Sequence, residues 1–263
     1  MKTGKLLTIL PLAALFIFSA CDKEEDDNNF NNPYQTRNGP GIVSIEISNV
    51  AGTTNVDETG VAQYSNSSGE QFSVTMLRYY VSNFQLLTDT SEYSVPDSYF
   101  LVDESVQAST SLKLNDVPAG TYNGVRFMIG VDEDRYLAQS YSGALDPANN
   151  MFWTWSTGFI HFKLEGVSPV STTTTNQFVY HVGGMSGQYA GQRIVELNFN
   201  GDSLTVANGK TAEVHLLADI LQLFHTPNDI SIAATNTVMS MNTTSASLAD
   251  NYADMFSFDH LHN

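Results

Sequence analysis

The chain has 263 residues, of which 28 are acidic and 11 are basic, and its formal net charge at pH 7 is −17. This charge disfavours binding to nucleic acid or to an anionic membrane surface, because both require basic patches. The chain contains a single cysteine, which excludes an intrachain disulfide, so the stability of the fold must come from a hydrophobic core.

The first twenty residues predict an export signal rather than a part of the fold. Two lysines precede an apolar run at residues 6–18, which is too short to span a membrane. The small residues directly before Cys21 resemble the bacterial lipobox, in which the cysteine is lipidated. Residues 1–20 are therefore predicted to be a lipoprotein signal peptide and Cys21 the lipidation site. The alternative is an ordinary secretory signal with an incidental cysteine.

Residues 21–40 are predicted to be a disordered acidic tether, because the stretch after the cysteine is rich in asparagine and poor in apolar residues. The order of cysteine, any residue, lysine and two acids resembles the surface-export signal of Bacteroidetes lipoproteins, while a plain solvated spacer is the alternative. Either interpretation places the protein outside the cytoplasm. We expect a lipid-anchored outer-membrane protein that contacts the membrane only through its anchor.

The remainder, residues 41–263, predicts a single all-β domain. Apolar and polar residues alternate at residues 41–48, as expected for a half-buried strand. Further strand-like runs, rich in aromatic and β-branched residues, lie at residues 71–88, 98–105, 109–132 and 191–219. The Asn-Gly pairs at residues 200–201 and 208–209 predict hairpin turns.

Helical signals are confined to residues 219–224 and 245–256. In the second segment apolar residues recur at the spacing of one helical face, and Ser245 is the predicted N-cap. The acidic run at residues 132–134 is predicted to be a solvated loop. Short strands separated by turns, with one or two short helices, predict an antiparallel β-sandwich.

Both tryptophans, Trp153 and Trp155, lie in one strand-like segment at residues 151–166. In an unbroken strand, both indoles share one face and His161 lies beside them. A bulge near Gly158 would instead send His161 to the opposite face, and the sequence leaves both arrangements open. Without further information, two indoles on one face are interpreted as core anchors.

The histidines carry most of the candidate chemistry, because the chain has no nucleophile, phosphate-binding or zinc-protease motif. His181 lies at a predicted strand end before two glycines, placed either to coordinate a metal or to bond loop backbone. His260 and His262 face one side of an extended segment and could form half of a metal site. The alternative is a frayed terminus, but the apolar residues at 255–258 favour docking of this end.

Two classes of function fit these features, and neither is enzymatic. The first is a non-catalytic metal-binding module, which requires the histidines to converge. The second is a structural or adhesive surface lipoprotein that binds glycans or protein without metal. That alternative requires an open platform of tyrosines around Tyr79, Tyr80 and Tyr141.

Five segments resemble, in order and spacing, the MbnP-like (methanobactin-partner) copper-binding domain family. They are LRYYVSNFQLL, VPAGTYNGVRFMIGVD, GALDPANNMFWTWSTGFIHFKLEG, FVYHVGG and NYADMFSFDHLHN. The tryptophan-containing block is the most specific, and the resemblance extends over residues 41–263.

The resemblance implies a secreted or surface-attached copper protein. It also implies that a tryptophan, here Trp153 or Trp155, is oxidised to kynurenine by a di-haem partner similar to cytochrome c peroxidases. In the family, the kynurenine and histidines lie at the copper site, and His181 matches the family's histidine before the glycines.

The predicted metal site therefore contains copper at His181, with contributions from the tryptophan block. His161, or the pair His260 and His262, is expected to complete the coordination. Neutral imidazoles on rigid strand ends suit this role because copper requires ligands that converge with little loss of conformational freedom.

Overall fold

The computed structural model describes residues 39–61, 63–154 and 156–263. The predicted signal peptide, Cys21 and most of the predicted tether lie outside these ranges. Within them the chain forms seventeen strands. Their bounds are β1 (Gly41–Ala51), β2 (Thr54–Asn55), β3 (Tyr64–Ser65), β4 (Gln71–Leu87), β5 (Glu92–Ser94), β6 (Tyr99–Asp103), β7 (Ser111–Val117), β8 (Gly120–Tyr122), β9 (Gly124–Ile129), β10 (Phe152–Thr154), β11 (Gly158–Val167), β12 (Gln177–Gly183), β13 (Arg193–Asn198), β14 (Leu204–Val206), β15 (Thr211–Asp219), β16 (Thr237–Val238) and β17 (Phe256–His262).

Helices are short and few in the described residues. Two are α-helices, α1 (Glu133–Leu137) and α2 (Thr243–Ala253). Single 3-10 turns lie at Gln107–Thr110, Gly143–Leu145, Pro147–Asn149 and Ile220–Phe224. None of the helices in the described ranges has the length and apolar composition needed to cross a membrane.

Two large sheets make up the fold. One has ten strands in the order β13-β9-β4-β11-β12-β16, with β3, β5 and β6 added on β4 and β10 on β11. The other has five strands in the order β17-β15-β1-β2, with β7 added on β1, and β14 and β8 form a separate ribbon. The prediction of an all-β sandwich-like fold is confirmed. Most pairs are antiparallel, but β1 pairs with β15, and β12 with β16, in parallel.

The core lies between the two large sheets. Val43 and Ile45 of β1 and Tyr79 of β4 are fully buried and belong to one apolar cluster. Phe256 of β17 packs edge-on against Tyr79 and against Phe127 of β9, with ring centroids 5.8 and 5.1 Å apart. Edge-to-face contacts of this kind add to the stabilisation gained by burial, so the last strand is part of the core.

Both predicted helical segments are helical, with different ends. The first begins after Asp219, whose side chain accepts a hydrogen bond from the Leu221 backbone N–H. The second begins two residues earlier than predicted, because Asn242 is its N-cap and Ser245 is the third residue of a capping box. The predicted role of Ser245 as N-cap is wrong, since the two side chains cap each other's backbone N–H groups.

The predicted loop at residues 132–134 is instead the start of α1. Asp132 is the N-cap and accepts a hydrogen bond from the Arg135 backbone N–H. Its carboxylate also accepts bonds from the Tyr99 hydroxyl at 2.5 Å and the Asn83 amide at 3.0 Å. These bonds lower the pKa of Asp132 in spite of its partial burial. The acidic run therefore has a structural role.

The Asn-Gly turns form, but the predicted hairpins are wrong. Gly201 and Gly209 adopt positive φ, as such turns require. However, β13 pairs with β9, β14 with β8 and β15 with β1. The turns carry the chain from one sheet to another, because each successive strand buries its apolar face in a different layer.

Candidate metal centre

Three histidines converge on the outer face of the five-stranded sheet, His215 on β15 and His260 and His262 on β17. One ring nitrogen of each lies within 4.8 Å of the others. The Nε2 atoms of His260 and His262 are 3.2 Å apart, and the rings of His215 and His260 stack with centroids 4.2 Å apart. Among the residues with described positions, no other group of three potential ligands meets this criterion. We call these three residues the histidine cluster.

Alternation along β15 directs His215 away from the core. Val214, Leu216 and Ala218 are buried, so the histidine between the first two points to the opposite face of the sheet. The register places His215 directly opposite His260 of β17. The position of His215 therefore follows from the requirement that its apolar neighbours be buried.

A β-bulge at Asp259 sets the direction of the two terminal histidines. Strict alternation would place Phe258, His260 and His262 on the same face. The pairing with β15 instead passes over Asp259, so Phe258 and Leu261 both pack against the core, while His260 and His262 are exposed. A bulge inserts one unpaired residue and shifts the alternation, and here it separates the metal-ligand candidates from the core.

The strand that carries both terminal histidines is held at its end. The Asn263 side chain accepts a hydrogen bond from the Thr205 backbone N–H at 2.6 Å and donates one to the Ser203 carbonyl at 3.3 Å. His260 Nδ1 lies 2.9 Å from the Asp259 carboxylate. Because a carboxylate accepts, Nδ1 donates and Nε2 keeps its lone pair, which faces His262 Nε2 at 3.2 Å. An unprotonated Nε2 is the form that binds an ion in carboxylate–histidine–metal arrangements.

The spacing of the two terminal histidines fits a metal ion. Two nitrogens bound to one ion at about 2.0–2.1 Å lie roughly 3.0–3.4 Å apart, and the two terminal Nε2 atoms are 3.2 Å apart. His215 Nε2 is buried and has no hydrogen-bond partner among the described residues. An unpartnered buried nitrogen destabilises a protein unless something binds it, and an ion would supply that partner.

His181 lies apart from the cluster, on β12 of the ten-stranded sheet. It is 8% exposed, and its Nε2 is 2.7 Å from the Glu165 carboxylate. Burial lowers the pKa of His181, and the neighbouring Lys163 lowers it further, against the opposing effect of Glu165. Among the described residues, His181 belongs to no group of three potential metal ligands. Its geometry is that of a buried histidine paired with an acid.

His161 lies in the core at a bulge in β11, and it is 0% exposed. Its Nδ1 accepts a hydrogen bond from the Val131 backbone N–H at 3.2 Å, and its Nε2 donates to the Gly184 carbonyl at 3.0 Å. Burial lowers its pKa to about 4, so the ring is neutral near pH 7. Both ring nitrogens are engaged, and a metal would have to displace one of these bonds.

The tryptophan segment is a hairpin rather than the expected strand. The chain reverses between β10 and β11, where the Thr157 N–H donates to the Thr154 carbonyl at 3.2 Å. Trp153 lies at an irregularity in the ladder, and its ring covers Gly183, where an added Cβ would lie only 2.7 Å from it. Trp155 lies outside the described residues.

Three parts of the predicted site lie close together in the fold. Trp153 packs on Gly183, and His161 bonds the carbonyl of Gly184, so the tryptophan block, His161 and the glycines that follow His181 do meet. They meet on the ten-stranded sheet, whereas His260 and His262 belong to the five-stranded sheet. The structure therefore does not bring His260 and His262 to His181, which was one of the two expected combinations.

His215 is a candidate ligand that the sequence pattern does not single out. Its outward position can be predicted from the alternation along β15, but its pairing with the last strand has no local signal in the sequence.

Tyr79 and Tyr80 are buried, at 0% and 1% exposure, so the tyrosine platform required by the adhesive alternative does not form at these residues.

The chain matches the model of the MbnP family over residues 40–241. It belongs to the MbnP family. A solved structure, MbnP from Methylosinus trichosporium, is similar with 15% identity and a TM-score of 0.49, covering 77% of this chain and 82% of that chain. No curated protein sequence matches the chain. The region that identifies this MbnP-family protein contains Trp153 and His215 and ends before α2 and β17.

Proposed function

We propose that this MbnP-family protein binds copper without catalysing a reaction, and that His215, His260 and His262 form its metal site. The observation that carries the proposal is the convergence of three imidazoles from two paired strands, with a nitrogen–nitrogen distance that suits one ion. The ligands are supported by a docked strand and by the Asp259 carboxylate behind His260. Such support reduces the ordering cost of binding.

The donor set favours copper for two reasons. Imidazole binds copper, zinc, nickel and iron, and among the divalent ions copper forms the most stable complexes with a given set of nitrogen ligands. None of the described residues is a cysteine, so the proposed site depends on imidazole rather than thiolate. Copper is also the metal that the family resemblance implies.

Metal analysis of the purified mature protein tests this proposal. After incubation with copper and desalting, the wild type should retain about one copper ion per chain, and a variant with His260→Ala and His262→Ala should retain almost none. His225→Ala is the matched control, because His225 is exposed and pairs only with Asp229 at 3.1 Å within the described residues. Equal copper in the wild type and the double variant would overturn the proposal.

His181→Ala separates this site from the one that the sequence predicts. We expect this variant to keep its copper, because His181 lies on the other sheet and pairs with Glu165. Loss of copper from His181→Ala, with retention by the double variant, would instead favour a site beside the tryptophan block.

Oxidation of Trp153 or Trp155 to kynurenine by a di-haem partner is a further part of the proposal, based on the family resemblance. The position of Trp153 against Gly183 would place such a product near His161, away from the histidine cluster. Intact-mass measurement would detect the exchange of one carbon atom for one oxygen. An unmodified mass in protein isolated from its native cells would contradict this part.

We also propose that the protein is anchored to the cell envelope by a lipid on Cys21. The support is the apolar run that ends in small residues directly before the lone cysteine. Replacement of Cys21 by serine should release the protein from the membrane fraction. Retention of the serine variant in that fraction would contradict the anchor.

A further inference from the structure

The turn between β13 and β14 contains an asparagine followed by a glycine, Asn200 and Gly201. Both residues have positive φ, at 55° and 94°, and the Asp202 N–H donates to the Phe199 carbonyl at 2.8 Å. These features are typical of a tight two-residue turn, for which asparagine and glycine are the preferred residues. Both residues are exposed, so the turn presents the pair to water.

We infer that Asn200 is a site of spontaneous modification, at which the backbone nitrogen of Gly201 displaces the side-chain amide of Asn200. The Gly201 nitrogen loses its proton to solvent and forms a bond with Cγ of Asn200. The bond from Cγ to the amide nitrogen breaks, and ammonia leaves with a proton that the solvent returns. Water then opens the cyclic imide at either carbonyl, which gives aspartate or isoaspartate. No atom changes its oxidation state, and water is the one reactant supplied from outside.

Both reacting groups are free in this turn. Among the described residues, neither the side-chain amide of Asn200 nor the backbone N–H of Gly201 has a hydrogen-bond partner. Glycine has no side chain that could hinder the attack, and a Cβ built on Gly201 would meet no described atom within 4 Å. The nitrogen can therefore approach Cγ of Asn200 without first losing a hydrogen bond or a packing contact.

The pair Asn208 and Gly209, in the turn between β14 and β15, has the same two residue types in a different environment. Here the Gly209 N–H donates to the Pro40 carbonyl at 3.0 Å, and the Asn208 side chain lies against Gly39. The nitrogen must break its hydrogen bond before it can react. One net hydrogen bond of this kind corresponds to a reaction that is roughly two- to tenfold slower. Asn208 is therefore the matched control for Asn200.

The pair Asn123 and Gly124 belongs to the sheet. Gly124 is buried and is the first residue of β9, which pairs with both β4 and β13, and the Asn123 amide donates to the Asp89 carboxylate. Strand residues open only when a large part of the fold opens, whereas surface turns open at little cost. This pair should be the slowest to react. A fourth pair, Asn38 and Gly39, has its asparagine outside the described residues and is followed as a separate peptide.

Both ends of the turn contact the last strand, so the modification has a structural consequence. Phe199 is fully buried, and its ring packs against that of Phe258 with centroids 5.1 Å apart. After the turn, backbone groups of Ser203 and Thr205 bond to the Asn263 side chain. The isoaspartyl product lengthens the main chain by one carbon atom between these two contacts, so it should weaken the packing of β17. The aspartyl product adds a charge and leaves the main chain unchanged.

Peptide mapping by mass spectrometry tests the inference. The folded protein is incubated in mildly alkaline buffer, and replacement of the amide NH2 by a hydroxyl is followed at each asparagine. Conversion at Asn200 should be roughly two- to tenfold faster than at Asn208, and conversion at Asn123 should be slower still. In protein unfolded by urea the three rates should approach one another, because the bonds that distinguish the pairs are lost. Asn200→Gly should abolish the reaction in its peptide, since glycine suits the turn but has no amide.

Amide hydrogen exchange of β17 tests the structural consequence. Exchange should be severalfold faster in aged protein that contains isoaspartate than in fresh protein, and it should stay at the fresh level in Asn200→Asp and in aged Asn200→Gly. Conversion at Asn208 or Asn123 as fast as at Asn200 in the folded protein would overturn the inference. An Asn200 that stays intact in folded protein but converts in urea would overturn it as well. Unchanged exchange in the aged protein would contradict the effect on the last strand.

Discussion

Replacement of the buried His161 by leucine should destabilise the fold without removing the metal. The imidazole links two backbone groups, the Val131 N–H and the Gly184 carbonyl, at 3.2 and 3.0 Å. Leucine fills much of the same space but bonds neither group. The Gly184 carbonyl still accepts a hydrogen bond from the Gly191 N–H at 3.1 Å, so the Val131 N–H is the one group left without a partner. A buried backbone group without a partner costs about 1–3 kcal/mol, and we expect a loss of about that size in the free energy of unfolding.

Urea denaturation and thermal melting measure this loss. A domain of about 150–250 residues loses roughly 2–4 °C in Tm for each kcal/mol, so the melting temperature of His161→Leu should fall by about 2–12 °C. His161→Gln is the matched variant, because its amide retains a donor and an acceptor and should recover part of the loss. Copper content, measured on the folded fraction of each variant, should remain that of the wild type.

Two results would refute this reasoning. Wild-type stability in His161→Leu would mean that the two hydrogen bonds contribute nothing to folding. A stable variant that has lost its copper would mean that His161 is a ligand and that the histidine cluster is not the principal site.

Three other predictions concern residues away from the cluster. Burial raises the pKa of Glu58 from 4.5 to about 7, so the folded state binds a proton more tightly than the unfolded state. The free energy of unfolding should therefore fall as the pH rises from about 4.5 to 7, by roughly 1–2 kcal/mol after allowance for solvent screening. Melting curves of Glu58→Gln should lack this pH dependence, and a pH profile equal to that of the wild type would contradict the prediction. In Gly183→Ala the added Cβ would lie 2.7 Å from Trp153 Cζ3, so tryptophan fluorescence should shift and the free energy of unfolding should fall by about 1–3 kcal/mol. An unchanged emission spectrum would argue against this contact. Asn251 is fully buried and its amide donates to the Leu223 carbonyl at 2.8 Å. Asn251→Leu should therefore lower the free energy of unfolding by about 2–4 kcal/mol. A urea midpoint equal to that of the wild type would show that the bond is dispensable.

The sequence predicts where the strands and helices lie better than it predicts which strands pair with each other. Alternation identifies β1, and the apolar stripe with nearby capping residues identifies α2, because both signals are local. The N-cap is harder to assign, since asparagine and serine both cap helices and here Asn242 and Ser245 act together. Strand partners depend on how whole faces are buried, which explains why the Asn-Gly turns were correctly located while their hairpins were not.

The candidate site shows the same division. That His260 and His262 share a side follows from their spacing, but the part played by His215 depends on the pairing of β15 with β17. The bulge at Asp259 is invisible to a pattern that assumes strict alternation. For Trp153, the turn residues between the tryptophans and Gly158 were a usable signal that the apolar pattern concealed.

The bulge at Asp259 sets the register of the last strand against β15. In the observed one, Leu261 packs against the core and both terminal histidines are exposed. Moving the pairing by one residue would bury His260 and His262 and expose Leu261, at the cost of the apolar contact and of desolvating two polar rings. An ion bound by all three imidazoles can bind only the observed register, and a ligand that binds one of two states shifts the population toward it. A bound metal would thus stabilise the observed alignment of the last strand, in addition to occupying the site that the strand helps to form.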